Sequence, residues 1–269
     1  MSAARLCVIG SSHVACLKLA ETGGAPTGLP ATEYFAASGN LIAELHLTDG
    51  RYLAAAAGGA VAPQLAAVSA GKTRIDLADY DAFALVGVCF QFRDILRLFR
   101  SHCLWRHRDW RGARALIGDA GFAEFLRGVY RFRPAYRFAR DIAAVRPDAP
   151  VLLLPSPFPT AAVLEEQGMR DLRDLRDTSY FAEIVRLHRD AATAAARSVG
   201  ARVLFQRDEA VAAPGFTAPR FNEAAVGLRA ADKTSPGQWH EEKRAADPWH
   251  MNRAFGRMRL EDIRAALAA

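Results

Sequence analysis

Ser12 and His250 stand near opposite ends of the chain, and each lies in a local pattern that suits nucleophilic chemistry. A serine hydroxyl attacks an ester carbonyl only when a base takes its proton and donors receive the charge that develops on the carbonyl oxygen. Residues 8 to 14 read Val-Ile-Gly-Ser-Ser-His-Val, so Ser12 follows an apolar run and opens an amphipathic stretch. At such a helix start the first N–H groups point outward and the dipole favours negative charge. The same position suits an ordinary capping serine, worth about 1 kcal/mol to a helix. Residues 247 to 250 read Asp-Pro-Trp-His. A carboxylate three residues before a histidine, across a turn fixed by Pro248, can accept the Nδ1 proton and leave Nε2 free as a base. Taken singly, Asp247 also suits a cap of the last helix, and His250 a half-buried surface histidine.

To hold such residues together the chain needs a scaffold, and its apolar runs supply one. Five short runs alternate with helical patterns: Leu6 to Ile9, Glu33 to Ala37, Phe83 to Val88, Val151 to Leu154 and Arg202 to Phe205. They are too short for helices and lack strict alternation, which predicts parallel strands buried on both faces. Strand and helix in alternation predict a doubly wound, three-layer α/β/α sandwich around a mainly parallel, about five-stranded sheet. Two insertions are expected. Leu45 to Leu53 carries a hairpin signal at Asp49-Gly50, placed at the sheet edge. Residues 93 to 146, with Arg93, Arg97 and Arg100 at helical spacing, read as a helical lid or side wall. Helices are also predicted over His13 to Glu21, Tyr180 to Val199 and Asn252 to Leu267. No linker or repeat divides the chain, so a single domain over 1–269 is expected.

Composition narrows the function classes. Hydrophobic residues at 51% and charged residues at 24% exclude a disordered or fibrous chain. No window reaches the roughly 18 apolar residues of a membrane span, and the N-terminus lacks the apolar core of a signal peptide, so a cytoplasmic chain is expected. Cys7, Cys16, Cys89 and Cys103 lack zinc-site spacing and read as buried free thiols. Neither they nor the histidines (His46, His102, His107, His188, His240) predict a metal, and no cofactor is implied. The formal charge of +6 comes from an Arg-dominated set, and segment 93–146 holds 13 Arg against 5 acids, +8 in all, leaving −2 for the remainder. That asymmetry favours an anionic ligand or surface, or simply a solvated helical face. Nucleic acid is an unlikely partner, since no nucleic-acid fold signature accompanies the charge. Residues 66 to 73 fit a relaxed phosphate-loop pattern, but the segment precedes a strand instead of opening a helix.

Together, the two ends resemble the SGNH (GDSL-like) hydrolase family over nearly the whole chain. Gly10-Ser11-Ser12 is similar to the family's first block, with Ser11 in place of the usual Asp. Asp247-Pro-Trp-His250, with Asn252 and Gly256 after it, is similar to the last block. Gly39, after the second strand, is similar to the second-block glycine, and the run Pro155 to Pro159 also resembles the family. The resemblance implies a flavodoxin-like sandwich, Ser12 as nucleophile, His250 as base and Asp247 as its orienting carboxylate, with the N–H groups of Ser12 and Gly39 receiving the oxyanion. The third-block asparagine is absent: Gly87-Val88-Cys89 stands in its place. A thiol is a poor donor, and losing one oxyanion donor typically costs about 100- to 1000-fold in rate. Gln91 is the first candidate to fill that role and Asn40 the second, while His13 is a candidate substrate contact and Trp249 a pocket wall or core residue. The expected reaction is hydrolysis of an O-acyl ester, acetyl included, of a small or saccharide-like, anionic substrate. An acyltransferase using the same triad, or a catalytically impaired glycan- or protein-binding module, are the alternatives.

Overall fold

Along residues 5–10 the side chains of Leu6 and Val8 turn to one apolar cluster and those of Cys7 and Ile9 to another, as period-two alternation requires of a strand covered on both faces. The computed structural model describes all residues except 1–3, 24–27, 39, 92–93, 96–100, 110–114, 167–168, 170–172, 174–178, 229–238 and 242–246. Numbering only the strands of the central sheet, these are β1 (Arg5–Gly10), β2 (Ala31–Ala36), β3 (Ala82–Val86), β4 (Val151–Leu154) and β5 (Ala201–Val203). They pair in the order β2-β1-β3-β4-β5, every pair parallel. Gly10 lies opposite Val86 in that register. The order reverses between β1 and β3, and a doubly wound sheet binds its ligands outside the carboxyl ends of the strands at such a reversal.

Helices cover both faces. On one face lie α1 (Val14–Thr22) and α6 (Arg253–Ala268), which bury Leu17, Phe255, Met258 and Ile263 against Leu6, Val8, Ala84 and Leu152. On the other lie α2 (Val61–Val68), α4 (Pro134–Val145) and α5 (Ser179–Arg197), with α3 (Asp119–Arg131) packed on α5. Among the described residues no helix is long and apolar enough to cross a membrane. All four cysteines are buried and free.

Several expectations change in detail. The hairpin forms as expected, His46–Thr48 against Tyr52–Ala54, with Asp49 and Gly50 both at positive φ (51° and 60°). It joins Arg74–Asp76 in a separate three-stranded antiparallel sheet, however, and does not extend the edge of the central one. Segment 93–146 is not wholly helical, since His102–Leu104 and Ala115–Ile117 pair as short parallel strands ahead of α3. The spacing of Arg93, Arg97 and Arg100 lies outside the described residues. β3 ends at Val86, not Val88, because Gly87 turns the chain at φ +68°. The phosphate-loop-like segment leaves α2 through Ala70 and Gly71 at positive φ, and Lys72 pairs with Glu33, so it has the geometry of a helix end.

His188, on α5, is 2% exposed and shares a hydrogen bond with the buried Tyr130 hydroxyl. Burial, with the nearby Arg189 charge, lowers its pKa from 6.5 to about 3. The unfolded chain therefore takes up this proton first. The stability from a neutral His188 is complete above about pH 6.5 and is lost as pH falls toward 3, at up to about 1.4 kcal/mol per pH unit. Urea midpoints measured across that range should fall more steeply for the wild type than for His188→Gln, which can still accept from Tyr130; parallel slopes would contradict this.

Candidate active site

The first residues after β1 are fixed on three sides. The Ser11 N–H donates to Val86 O at 3.1 Å, its hydroxyl to Gly87 O at 3.2 Å, and its own carbonyl accepts the Val14 N–H at 3.0 Å. A Cβ on Gly87 would lie 2.5 Å from Ser11 Oγ and 2.6 Å from the His13 ring, so only glycine lets the two strand ends approach this closely. Ser12 comes next, one residue before the cap position of α1, which His13 occupies without a capping side-chain bond. The Ser12 hydroxyl is therefore not spent as a cap. It lies 2.7 Å from His250 Nε2. Among the described residues its N–H has no acceptor and stays at the mouth of the helix.

On the opposite wall, Asp247 Oδ2 lies 2.6 Å from His250 Nδ1, while Oδ1 accepts the Trp249 N–H at 2.9 Å and the His250 N–H at 3.3 Å. Burial pushes the Asp247 carboxyl up, but the bond and charge of His250 and these two N–H groups outweigh it and hold the pKa at about 2. The turn itself is clamped from outside. Asn222 donates to the carbonyls of Asp247 and His250, both at 2.6 Å, Thr160 N–H to Pro248 O at 2.9 Å, and Val226 N–H to Met251 O at 3.0 Å. Asn252 then caps α6 by accepting the Phe255 N–H and also donates to the carbonyls of Arg220 and Glu223. One turn into α6, Gly256 crosses α1 so closely that a Cβ would fall 2.0 Å from Cys16 O. That crossing brings the start of α6, with His250 just ahead of it, over the start of α1, where Ser12 sits.

A cleft of about 250 Å³ opens over the relay, lined by Ser12, His13, Gln91, Ser156, Trp249 and His250, with Pro157 and Asp247 completing it. A liquid water takes about 30 Å³, so the space suits a short acyl group with part of its alcohol. The His13 ring stacks on that of His250, centroids 5.0 Å apart and planes 29° apart. Trp249 Nε1 donates to Glu166, which fixes the indole as a wall. Gln91 is held by Asp94, whose Oδ2 accepts the Gln91 N–H at 3.2 Å while Oδ1 pairs with Arg133.

Ser12, Asp247 and His250 are thus brought together, with His13 and Gln91 beside them. Asn40 is not: it is exposed at the start of the helical turn Leu41–Glu44 and is absent from the described lining. Gly39 lies outside the described residues. Its neighbour Ser38 is fixed by the buried Gln64, whose Oε1 accepts the Ser38 N–H at 2.7 Å. The Cys89 thiol faces the core and donates to Leu85 O at 3.2 Å; burial pushes its pKa up, and it does not line the cleft. Sequence reasoning missed Asn222 and Ser156. Ser156 carried a weak signal in its proline-rich run, whereas Asn222 carried none.

No protein-family model matches this chain, and no curated protein does. Among solved structures it is similar to the salicylyl-acyltransferase SsfX3 from a tetracycline biosynthetic pathway, at 16% identity and a TM-score of 0.38. The match covers 100% of this chain and 56% of that one, so the chain spans little more than half the length of that protein.

Proposed function

We propose that this chain is a serine-dependent acyl-transfer enzyme of SGNH type, acting on an O-acyl ester of a small or saccharide-like alcohol. The observation that carries the reading is the unbroken relay from the Ser12 hydroxyl through His250 to Asp247, at 2.7 and 2.6 Å, opening on a cleft. His250 Nε2 takes the Ser12 proton as Oγ attacks the ester carbonyl, and Asp247 holds the ring and offsets its charge. The developing oxyanion is received by the Ser12 N–H and the Gln91 side-chain amide. His250 then returns the proton to the departing alcohol, leaving an acyl group on Ser12. Water, activated by His250 in turn, releases the acid; an alcohol in its place makes the same enzyme a transferase. The size of the cleft favours a short acyl chain.

Hydrolysis of p-nitrophenyl acetate tests this. Turnover should vanish in Ser12→Ala, and kcat should fall about 100-fold in Gln91→Ala with KM little changed, the mark of a donor engaged only in the transition state. Adding a simple alcohol and measuring the ester formed separates transfer from hydrolysis. Equal residual rates in wild type and Ser12→Ala would leave a binding module instead.

A further inference from the structure

Of the described residues that line the cleft, only Trp249 and Pro157 are apolar; the others carry hydroxyl, imidazole, amide or carboxylate groups. The acyl chain is the apolar part of an ester of a polar alcohol, so these two residues form the wall that suits it. Trp249 also packs against the larger core cluster, so its indole is backed by protein. It is held at both ends. The Trp249 N–H donates to Asp247 Oδ1 at 2.9 Å, and Nε1 donates to the two Glu166 oxygens at 3.0 and 3.1 Å. Glu166 is placed in its turn. It follows the helical turn Ala161–Glu165, its N–H donates to Val163 O at 3.0 Å, and its carbonyl accepts the Met169 N–H at 3.1 Å. Val163 and Leu164 bury that turn in the same core. At the start of the turn, the Thr160 N–H donates to Pro248 O at 2.9 Å. Segments 160–166 and 247–250 are thus tied at two points, and an indole anchored at its backbone and at its ring nitrogen has little freedom to swing aside.

We infer that Trp249 is the specificity-determining residue of this site, closing the cleft to long acyl chains, and that Glu166 is the residue that positions it; the inference rests on the acyl-transfer reading. Each methylene that an apolar pocket accepts or refuses changes kcat/KM by about 10- to 200-fold. A wall that cannot move therefore converts a small difference in chain length into a large difference in rate.

The test compares kcat/KM for p-nitrophenyl hexanoate and p-nitrophenyl acetate, as a ratio that cancels differences in folded fraction. The wild type should favour the acetate by at least about tenfold. Trp249→Ala should raise the hexanoate-to-acetate ratio at least about tenfold, and Trp249→Phe, which keeps a ring packed on the core, should raise it by less. Glu166→Ala frees the indole and should raise the ratio about fivefold. Glu166→Gln, whose Oε1 still accepts from Nε1, should keep the wild-type ratio, a rescue that a merely structural Glu166 would not give. A ratio unmoved in both Trp249 variants, with turnover still dependent on Ser12, overturns this inference alone. So does a changed preference among alcohols at fixed acetyl with the acyl series untouched. Turnover that persists in Ser12→Ala overturns the acyl-transfer reading and this inference with it.

Discussion

His250→Ala should lower kcat/KM for a short ester by about four orders of magnitude or more, with the fold intact. The imidazole contacts both the nucleophile at 2.7 Å and the carboxylate at 2.6 Å, so its removal strips Ser12 of its base and strands Asp247 at once. Asp247→Asn should cost about 10³- to 10⁴-fold, because an amide can donate to Nδ1 and so stabilise the wrong tautomer. Combining the two should cost little more than His250→Ala alone, as expected of residues acting as a unit. The Asp247 pKa of about 2 sets the sign of any acid effect through this group. The carboxylate is charged at every pH above roughly 3, so loss of activity between pH 4 and 7 would not come from its protonation. Steady-state kinetics checks all three variants, and additive losses would contradict a single relay.

Gly256→Val should be the most damaging change outside the cleft. A Cβ at this position would lie 2.0 Å from Cys16 O and 2.9 Å from Leu17 N, and backbone on both sides leaves no flexible atom to yield. α1 and α6 must then separate, opening the cluster around Leu17, Phe255 and Met258. Overpacking of this kind costs about 3 kcal/mol, or roughly 5 °C in Tm for a chain of this size. Activity should fall further than stability explains, since the same crossing carries His250 to Ser12. Calorimetry with esterase assay below the variant's Tm checks both parts. An unchanged Tm would contradict the close crossing.

Much of this architecture was legible in the sequence because a doubly wound sheet writes itself locally. Strands buried on both faces are short apolar runs, and Leu6 to Ile9 ending at Gly-Ser-Ser-His announces both β1 and the loop that follows it. Asp247 and His250 were legible for the same reason: three residues across a proline turn fix their own contact. What failed was non-local. The Asn222 clamp joins carbonyls 25 and 28 residues away, and no periodicity encodes that. The strands 102–104 and 115–117 hid beneath an arginine pattern that reads as helical. Cys89 and Gln91 could not be separated by alternation, because the positive φ at Gly87 takes the chain out of the pleat before either is reached. Only their contacts show the thiol turned to the core and Gln91 among the residues of the cleft.

If the relay works as proposed, Ser12 is an activated nucleophile. Intact-mass measurement after exposure to a fluorophosphonate ester reads this directly, without knowledge of the substrate. One phosphonyl adduct per chain is expected, mapped to Ser12 by peptide fragmentation, absent in Ser12→Ala and strongly slowed in His250→Ala. A wild type left unlabelled under conditions that label a known serine esterase, or an adduct that persists in Ser12→Ala, would contradict it.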